Sequence, residues 1–352
     1  GQKIKTEAGA PWDLLQTYCS PGFGSGRALD GFEDVYRWTR PADRFDFDVY
    51  PYFYPTSDRI RFVQANWCFA ESRVISRALG KPWGFYVELD DRNYPYQINP
   101  AEASAECAYT AVAAGADYLN SFILRTFGSG NAARPERWEE CGEAMRAIRR
   151  IGPLLTRWQR QPARVGVLLP ETHQLIRNGY EVPMYTLAIL AQAVGEADVI
   201  HEEILVGGLP TSLNVLFVIG ADALRRDAQQ RLIEWVRQGG AVVFDRLPTM
   251  DEQGRPLEWP PEFTGDRQEV PFGKGRVGST DKGVEDVCRK AVEGDDPEAW
   301  PKLVAATARD VLPLLRRGDG AVSVRVTANP LHTDVGVRRN EDSACVLLVN
   351  HQ

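Results

Sequence analysis

The segment KPWGFYVELDD, residues 81–91, runs from an apolar stretch into three acids, Glu88, Asp90 and Asp91. A carboxylate at the end of a buried strand is held rigidly, which suits a group that must attack or move a proton at a fixed place. Retaining glycoside hydrolysis needs two carboxyl groups about 5–5.5 Å apart, one to attack the anomeric carbon and one to donate and then remove a proton. Glu88 is the candidate nucleophile. The plain alternative is a surface carboxylate that caps the next helix or pairs with Arg92.

Aromatic residues crowd the same neighbourhood: Tyr50, Tyr52, Phe53, Tyr54, Trp83, Tyr86, Tyr94 and Tyr96. Sugar rings present apolar C–H faces that pack on aromatic rings, while polar groups take the hydroxyls. The expected carbohydrate-binding set is Asp48, Tyr50, Tyr52, Trp83, Tyr86, Asp90 and Arg125; core packing is the alternative for each ring. Glu71, with Arg73 and Arg77 nearby, reads as a solvated or ion-paired helix residue. The Gly-rich loop CSPGFGSGR (19–27) matches neither GxxxxGK[ST] nor GxGxxG, so no phosphate cradle is expected. Cys19, Cys68, Cys107, Cys141, Cys288 and Cys345 form no CxxC pair, and His173, His201, His332 and His351 are scattered. No metal and no cofactor are expected.

Positioning these residues requires a scaffold, and residues 11–157 supply an alternation. Strands are predicted over 13–21, 45–55, 81–89 and 116–125, and helices over 31–40, 58–80, 100–115 and 134–155. Four consecutive βα units imply parallel strands and right-handed crossovers. Polar residues at the carboxyl ends of several strands are what the active face of a (β/α)₈ barrel requires. Half of such a barrel is the expectation for residues 1–157, with a doubly wound sheet as the alternative.

Residues 158–248 read as a flavodoxin-like α/β unit of the class I glutamine amidotransferase type. Strands are predicted over 162–170, 197–205, 214–220 and 241–247, and helices over 183–195 and 225–240. The turn ADALRRD (221–227) holds no Cys or Ser, so amidotransferase chemistry is not expected; packing or homo-oligomerisation is the expected role. Residues 249–352 carry a predicted helix (297–315) and strands over 321–328 and 344–352, read as a linker and the start of a β-sandwich.

The chain has 352 residues, 43% hydrophobic and 25% charged, with a net charge of −7. Single cores rarely exceed about 250–300 residues, so several domains are expected. The negative charge argues against a nucleic-acid partner. No run of about 18 apolar residues reads as a membrane span. Cysteine usage favours a reducing, cytoplasmic location.

The order of parts and the stretches KPWGFYVEL and AYTAVAAGADYLNSFILRTF resemble the bacterial β-galactosidases of glycoside hydrolase family 42. The resemblance implies that Glu88 is the nucleophile and that AAGAD (113–117) is the turn into the last barrel strand. It implies that RVTANPLHTDVGVRR and ACVLLVNH open the sandwich. The family's acid/base, a Glu after Asn, has no match followed by a strand-five pattern near the N-terminus. Its Phe-x-Trp pattern is here Phe122-Ile123-Leu124-Arg125. The resemblance thus implies strands five to eight, the C-terminal portion of the enzyme, with the acid/base upstream of Gly1 and little activity in this chain alone. The competing class is a non-catalytic carbohydrate-binding or scaffold protein on a degenerate glycosidase fold.

Overall fold

The computed structural model describes residues 16–19, 35–47, 58–88, 103–122, 135–177, 183–264, 269–280, 283–294, 296, 298–315, 333–339 and 343–350. They fall into two compact units, one drawn from residues 16–161 and 333–350, the other from 162–315.

In the first unit β1 (Gln16–Cys19), β2 (Arg44–Phe47), β3 (Trp83–Glu88) and β4 (Tyr118–Phe122) form a parallel sheet in sequential order. Helices α1 (Val35–Thr39), α2 (Asp58–Leu79), α3 (Ala103–Ala114) and α4 (Pro135–Leu155) alternate with them. An order without reversal has no topological switch point, unlike the doubly wound alternative. Gly80 and Gly115, at φ +64° and +105°, end α2 and α3 where a left-handed residue is required.

Alternation along β3 sets its two faces. Trp83, Phe85 and Val87 are buried, and Phe69 of α2 meets Phe85 edge-on at 5.0 Å and lies 6.0 Å from Trp83. The start of β3 is anchored from both sides. Lys81 donates to the carbonyls of Thr39 and Arg40 at the end of α1, which lack helical partners. The Asp117 carboxylate accepts the Trp83 N–H at 3.0 Å. Burial raises the Asp117 pKa; the Trp83 N–H and the Arg338 charge oppose it. The short strand β5 (Gln159–Arg160) follows α4.

The second unit contains β6 (Val165–Leu168), β7 (Asp198–Ile200), β8 (Val215–Val218), β9 (Ala241–Phe244), β10 (Glu269–Phe272) and β11 (Gly275–Ser279), in the order β10-β11-β9-β8-β6-β7. All pairs are parallel except β10–β11. Its helices are α5 (Glu171–Arg177), α6 (Met184–Val194), α7 (Glu202–Gly207), α8 (Arg226–Arg237), α9 (Val284–Glu293) and α10 (Ala299–Val311). Two expectations are corrected. The boundary at residue 248 falls inside this sheet, because β11 pairs with β9 and extends it. The strand expected over 197–205 stops at Ile200, and Glu202 begins a helix, where acidic side chains favour the helix N-terminus.

That helix start is buried and shared. Glu171 and Glu202, at the first turns of α5 and α7, cap one another's helices. The Glu171 carboxylate accepts the Glu202 N–H at 2.7 Å and lies 2.9 Å from His201 Nδ1. The Glu202 carboxylate accepts the Thr172 N–H at 2.9 Å, the Thr172 hydroxyl at 2.8 Å and the Arg225 N–H at 3.1 Å.

A second borrowed cap starts α6, whose own N-cap, Pro183, has no side-chain hydrogen bond. Glu285 of α9 accepts the N–H groups of Tyr185 and Thr186 at 2.9 and 2.8 Å and the Thr186 hydroxyl at 2.7 Å. Glu285→Ala strands two part-buried amides and is expected to cost about 2 kcal/mol. A lowered urea midpoint, recovered only in part by Glu285→Gln because its amide keeps one acceptor oxygen, checks this. A midpoint unchanged in the alanine variant refutes the cap.

The chain then returns to the first unit. β12 (Thr333–Arg339) and β13 (Ala344–Asn350) form an antiparallel pair, and β12 also pairs with β5. This sheet packs on α3. A side chain at Gly336 would collide with the Ala113 carbonyl. Arg338 donates to the Val112 carbonyl at 3.0 Å, and Arg160 donates to that of Ala113, so two arginines satisfy the C-terminal carbonyls of α3. Trp158 Nε1 donates to Ser343 at 2.8 Å. The expectation of one separate region over 249–352 is thereby corrected: residues 249–315 belong to the α/β unit, and 333–350 close on α3. The strand expected over 321–328 lies outside the described residues.

Candidate active site

The site is built where β2, β3 and β4 run side by side. Asp46 pairs with Gly84, and Gly84 with Tyr118, so the three form one row across the sheet. Alternation puts residue 86 of β3 on the same face as Gly84, opposite the Trp83–Phe85–Val87 layer. Tyr86 is half-buried and pairs with Asn120; Glu88 ends the strand opposite Phe122.

Gly84 makes this row possible. A Cβ there would overlap the Tyr118 ring and stand 2.6 Å from Asp46 Oδ1. The absent side chain lets Asp46 and Tyr118 approach across the strand. The Tyr118 hydroxyl donates to the Phe45 carbonyl at 3.0 Å, and the Arg44 guanidinium stands 5.0 Å over its ring.

Asp46 is fully buried, and Asn120 Nδ2 donates to its Oδ1 at 2.7 Å. Its Oδ2 is buried without a hydrogen-bond partner. Burial pushes the Asp46 pKa up to about 6, against the opposing pull of the Tyr118 hydroxyl, the Arg44 charge and the Asn120 amide. Burial also raises the Tyr118 hydroxyl, and the neighbouring Asp46 adds to the effect. Because Nδ2 faces Asp46, the orientation of the Asn120 amide is fixed and its acceptor oxygen points away. The arrangement is an anchored polar floor across β2, β3 and β4.

Of the residues expected from the sequence, Tyr86 takes a position on the face of Gly84, and Glu88 follows it at the strand end. Trp83 does not join them. It is 1% exposed and packs with Phe69, because its odd position in β3 turns it to the helix layer. Asp48, Tyr50, Tyr52, Asp90 and Arg125 lie outside the described residues. Asp46, Tyr118, Arg44 and Gly84 were missed. The signal for Asp46 was the alternation Phe45-Asp46-Phe47, since two buried rings on one face place the acid on the other. Among the described residues no group of three or more His, Cys, Asp or Glu is placed to hold a metal ion. Nor is any described helix long and apolar enough to cross a membrane.

A catalytic mutant of Gan42B, a GH42 β-galactosidase from G. stearothermophilus, superposes with a TM-score of 0.68 at 12% identity, over 95% of this chain and 57% of that one. The chain resembles the GH42 β-galactosidases in fold. It spans a little over half the length of the β-galactosidases it matches. The cold-adapted β-galactosidase from Rahnella sp. R3 gives a TM-score of 0.67 at 13% identity, over 96% of this chain and 59% of that one. The apo exo-carrageenase GH42 from Bacteroides ovatus gives 0.60 at 12% identity, over 90% and 43%. Residues 209–261 match the family model described as GLMA-like, second domain. No curated protein matches the sequence.

Proposed function

We propose that the chain is the C-terminal portion of a retaining GH42-like glycoside hydrolase, with Glu88 as its nucleophile. The observation that carries this reading is Glu88 at the carboxyl end of β3, within a sequentially ordered parallel sheet. On this reading β1–β4 are strands five to eight of a (β/α)₈ barrel, and the α/β unit corresponds to the family's amidotransferase-like domain. Active residues of such barrels cluster at the carboxyl ends of the strands.

The chemistry follows from the positions. Glu88 attacks the anomeric carbon of a β-glycoside while a second carboxylic acid, proposed to lie on the remaining barrel strands, protonates the leaving oxygen. The glycosyl–enzyme ester is then hydrolysed by water that the second group deprotonates. Asp46 and Asn120 steady the sheet face beneath the sugar, and Tyr86 offers a ring edge. Galactosides are the first substrates to try.

The test is covalent trapping. A fluorinated galactosyl inactivator, whose ester intermediate turns over slowly, is applied to the protein carrying the complete barrel. Peptide mass spectrometry is expected to find the added sugar on Glu88, with none in Glu88→Gln. A label on another carboxylate, or no label, overturns the assignment and favours a carbohydrate-binding scaffold.

A further inference from the structure

We propose that the α/β unit carries a second saccharide site, a groove built on Trp235 that takes a sugar bearing a carboxylate or sulfate. The groove, of about 260 Å³, lies between residues 208–213 of the α7–β8 connection and the outer face of α8. It falls short of the roughly 300 Å³ at which drug-sized pockets begin, so it suits one or two sugar rings.

Arg231 and Trp235 of α8 and Gln238, its C-cap, line the groove, and their spacing puts them on one helical face. The indole is backed on one side. A Cβ at Gly240 would stand 2.5 Å from Trp235 Cδ2 and 2.6 Å from Cε3, so the backbone there lies flat against that side of the ring. The ring is thus held as a one-sided platform, and its π face attracts the C–H groups of a pyranose. Gln238 and Thr211 stand at the groove walls to meet hydroxyls.

Two unused groups point to the ligand. Trp259 and Trp300 of the same unit each donate their indole N–H at 2.7 Å; that of Trp235 has no acceptor among the described residues. Arg225, Arg226, Arg237, Arg246 and Arg255 are each ion-paired. Arg231 has no acidic partner among the described residues and lines the groove beside the indole. A cation left without a carboxylate next to a sugar platform selects an anionic substituent. A nucleotide would also satisfy an arginine and one aromatic ring. The hydroxyl-directed walls and the single platform favour the saccharide.

The choice of sugar rests on the glycosidase reading, whereas the groove itself does not. The whole chain is titrated calorimetrically with galactose, a sulfated galactose, galacturonic acid and adenosine monophosphate. The two acidic sugars are expected to bind more tightly than galactose, and Trp235→Ala to weaken them by about tenfold or more. Arg231→Gln, at an exposed position that does not disturb the fold, should remove the preference for acidic over neutral sugar. Labelling of Glu88 by the fluorinated inactivator is read separately and should be unchanged in Trp235→Ala, so a failed Glu88 assignment and a failed groove give different results. Absence of binding by every sugar, affinities unmoved by both groove variants, or tighter binding of the nucleotide would overturn the proposal.

Discussion

Replacing Gly84 by Ala is expected to destabilise the first unit by about 3 kcal/mol or more, the sum of overpacking and a strained buried polar contact. In most strands this substitution is mildly favourable, by roughly 0.5–1 kcal/mol. Here the new methyl meets two groups that cannot retreat. Tyr118 is tied through its hydroxyl to the Phe45 carbonyl and covered by Arg44, and Asp46 is buried and held by Asn120. β3 is paired on both sides and cannot shift as an edge strand would. Hydrogen exchange across residues 44–47, 83–88 and 118–122 is the measurement. The same change in a Tyr118→Ala background should cost far less, because the ring it strikes is gone. Protection equal to wild type in the single variant would show that the row is not tightly packed.

The second large effect is a pH dependence in the α/β unit. Burial, and then the negative charge of Glu171, push the Glu202 pKa from an ordinary 4.5 up to about 7; the Thr172 and Arg225 N–H groups and the Thr172 hydroxyl oppose this. The folded state therefore holds the Glu202 proton more tightly than the unfolded chain does. The resulting stabilisation is complete below about pH 4.5 and is lost as pH rises through about 7, a change on the order of 3 kcal/mol. When protonated, Glu202 can donate to the Thr172 hydroxyl, which reverses its role. Asp245 and Glu285 are also raised by burial and act in the same direction. Exchange protection of residues 165–177 and 198–207 should therefore fall between pH 5 and 8. Glu202→Gln should flatten that fall, whereas Glu202→Ala should lower protection at every pH by stranding the Thr172 and Arg225 amides. Wild-type protection independent of pH would refute the coupling.

What the sequence disclosed was local. Gly80 and Gly115 stop helices by their backbone freedom, and the apolar run 83–87 between them had to be a strand, so Glu88 at its end was readable. The phase of that strand was not, because WGFYV is apolar at every position. Only contact with Phe69 shows that Trp83 faces a helix. Asp48 drew notice in FDFD although Asp46 is the acid enclosed by Phe45 and Phe47. The pairing of Asn120 with Asp46 was not legible, since the bond reaches from β4 across β3 to β2. The acids of HEEIL were read into a strand, because reciprocal capping with Glu171 is a tertiary event. The pairings of β11 with β9 and of β12 with β5 join distant segments, and no local pattern announces them.

The return of β12 and β13 to α3 has a consequence for synthesis. The α/β unit is encoded between two parts of the first unit, so a ribosome finishes it before the first unit has all its pieces. Until residues 333–350 emerge, the Val112 carbonyl waits for Arg338, and the hairpin-facing side of α3 stays uncovered. The interposed unit, by contrast, can fold as soon as it is made. The nascent protein thus has a built-in delay, during which the exposed side of α3 is the last part of the first unit to be covered.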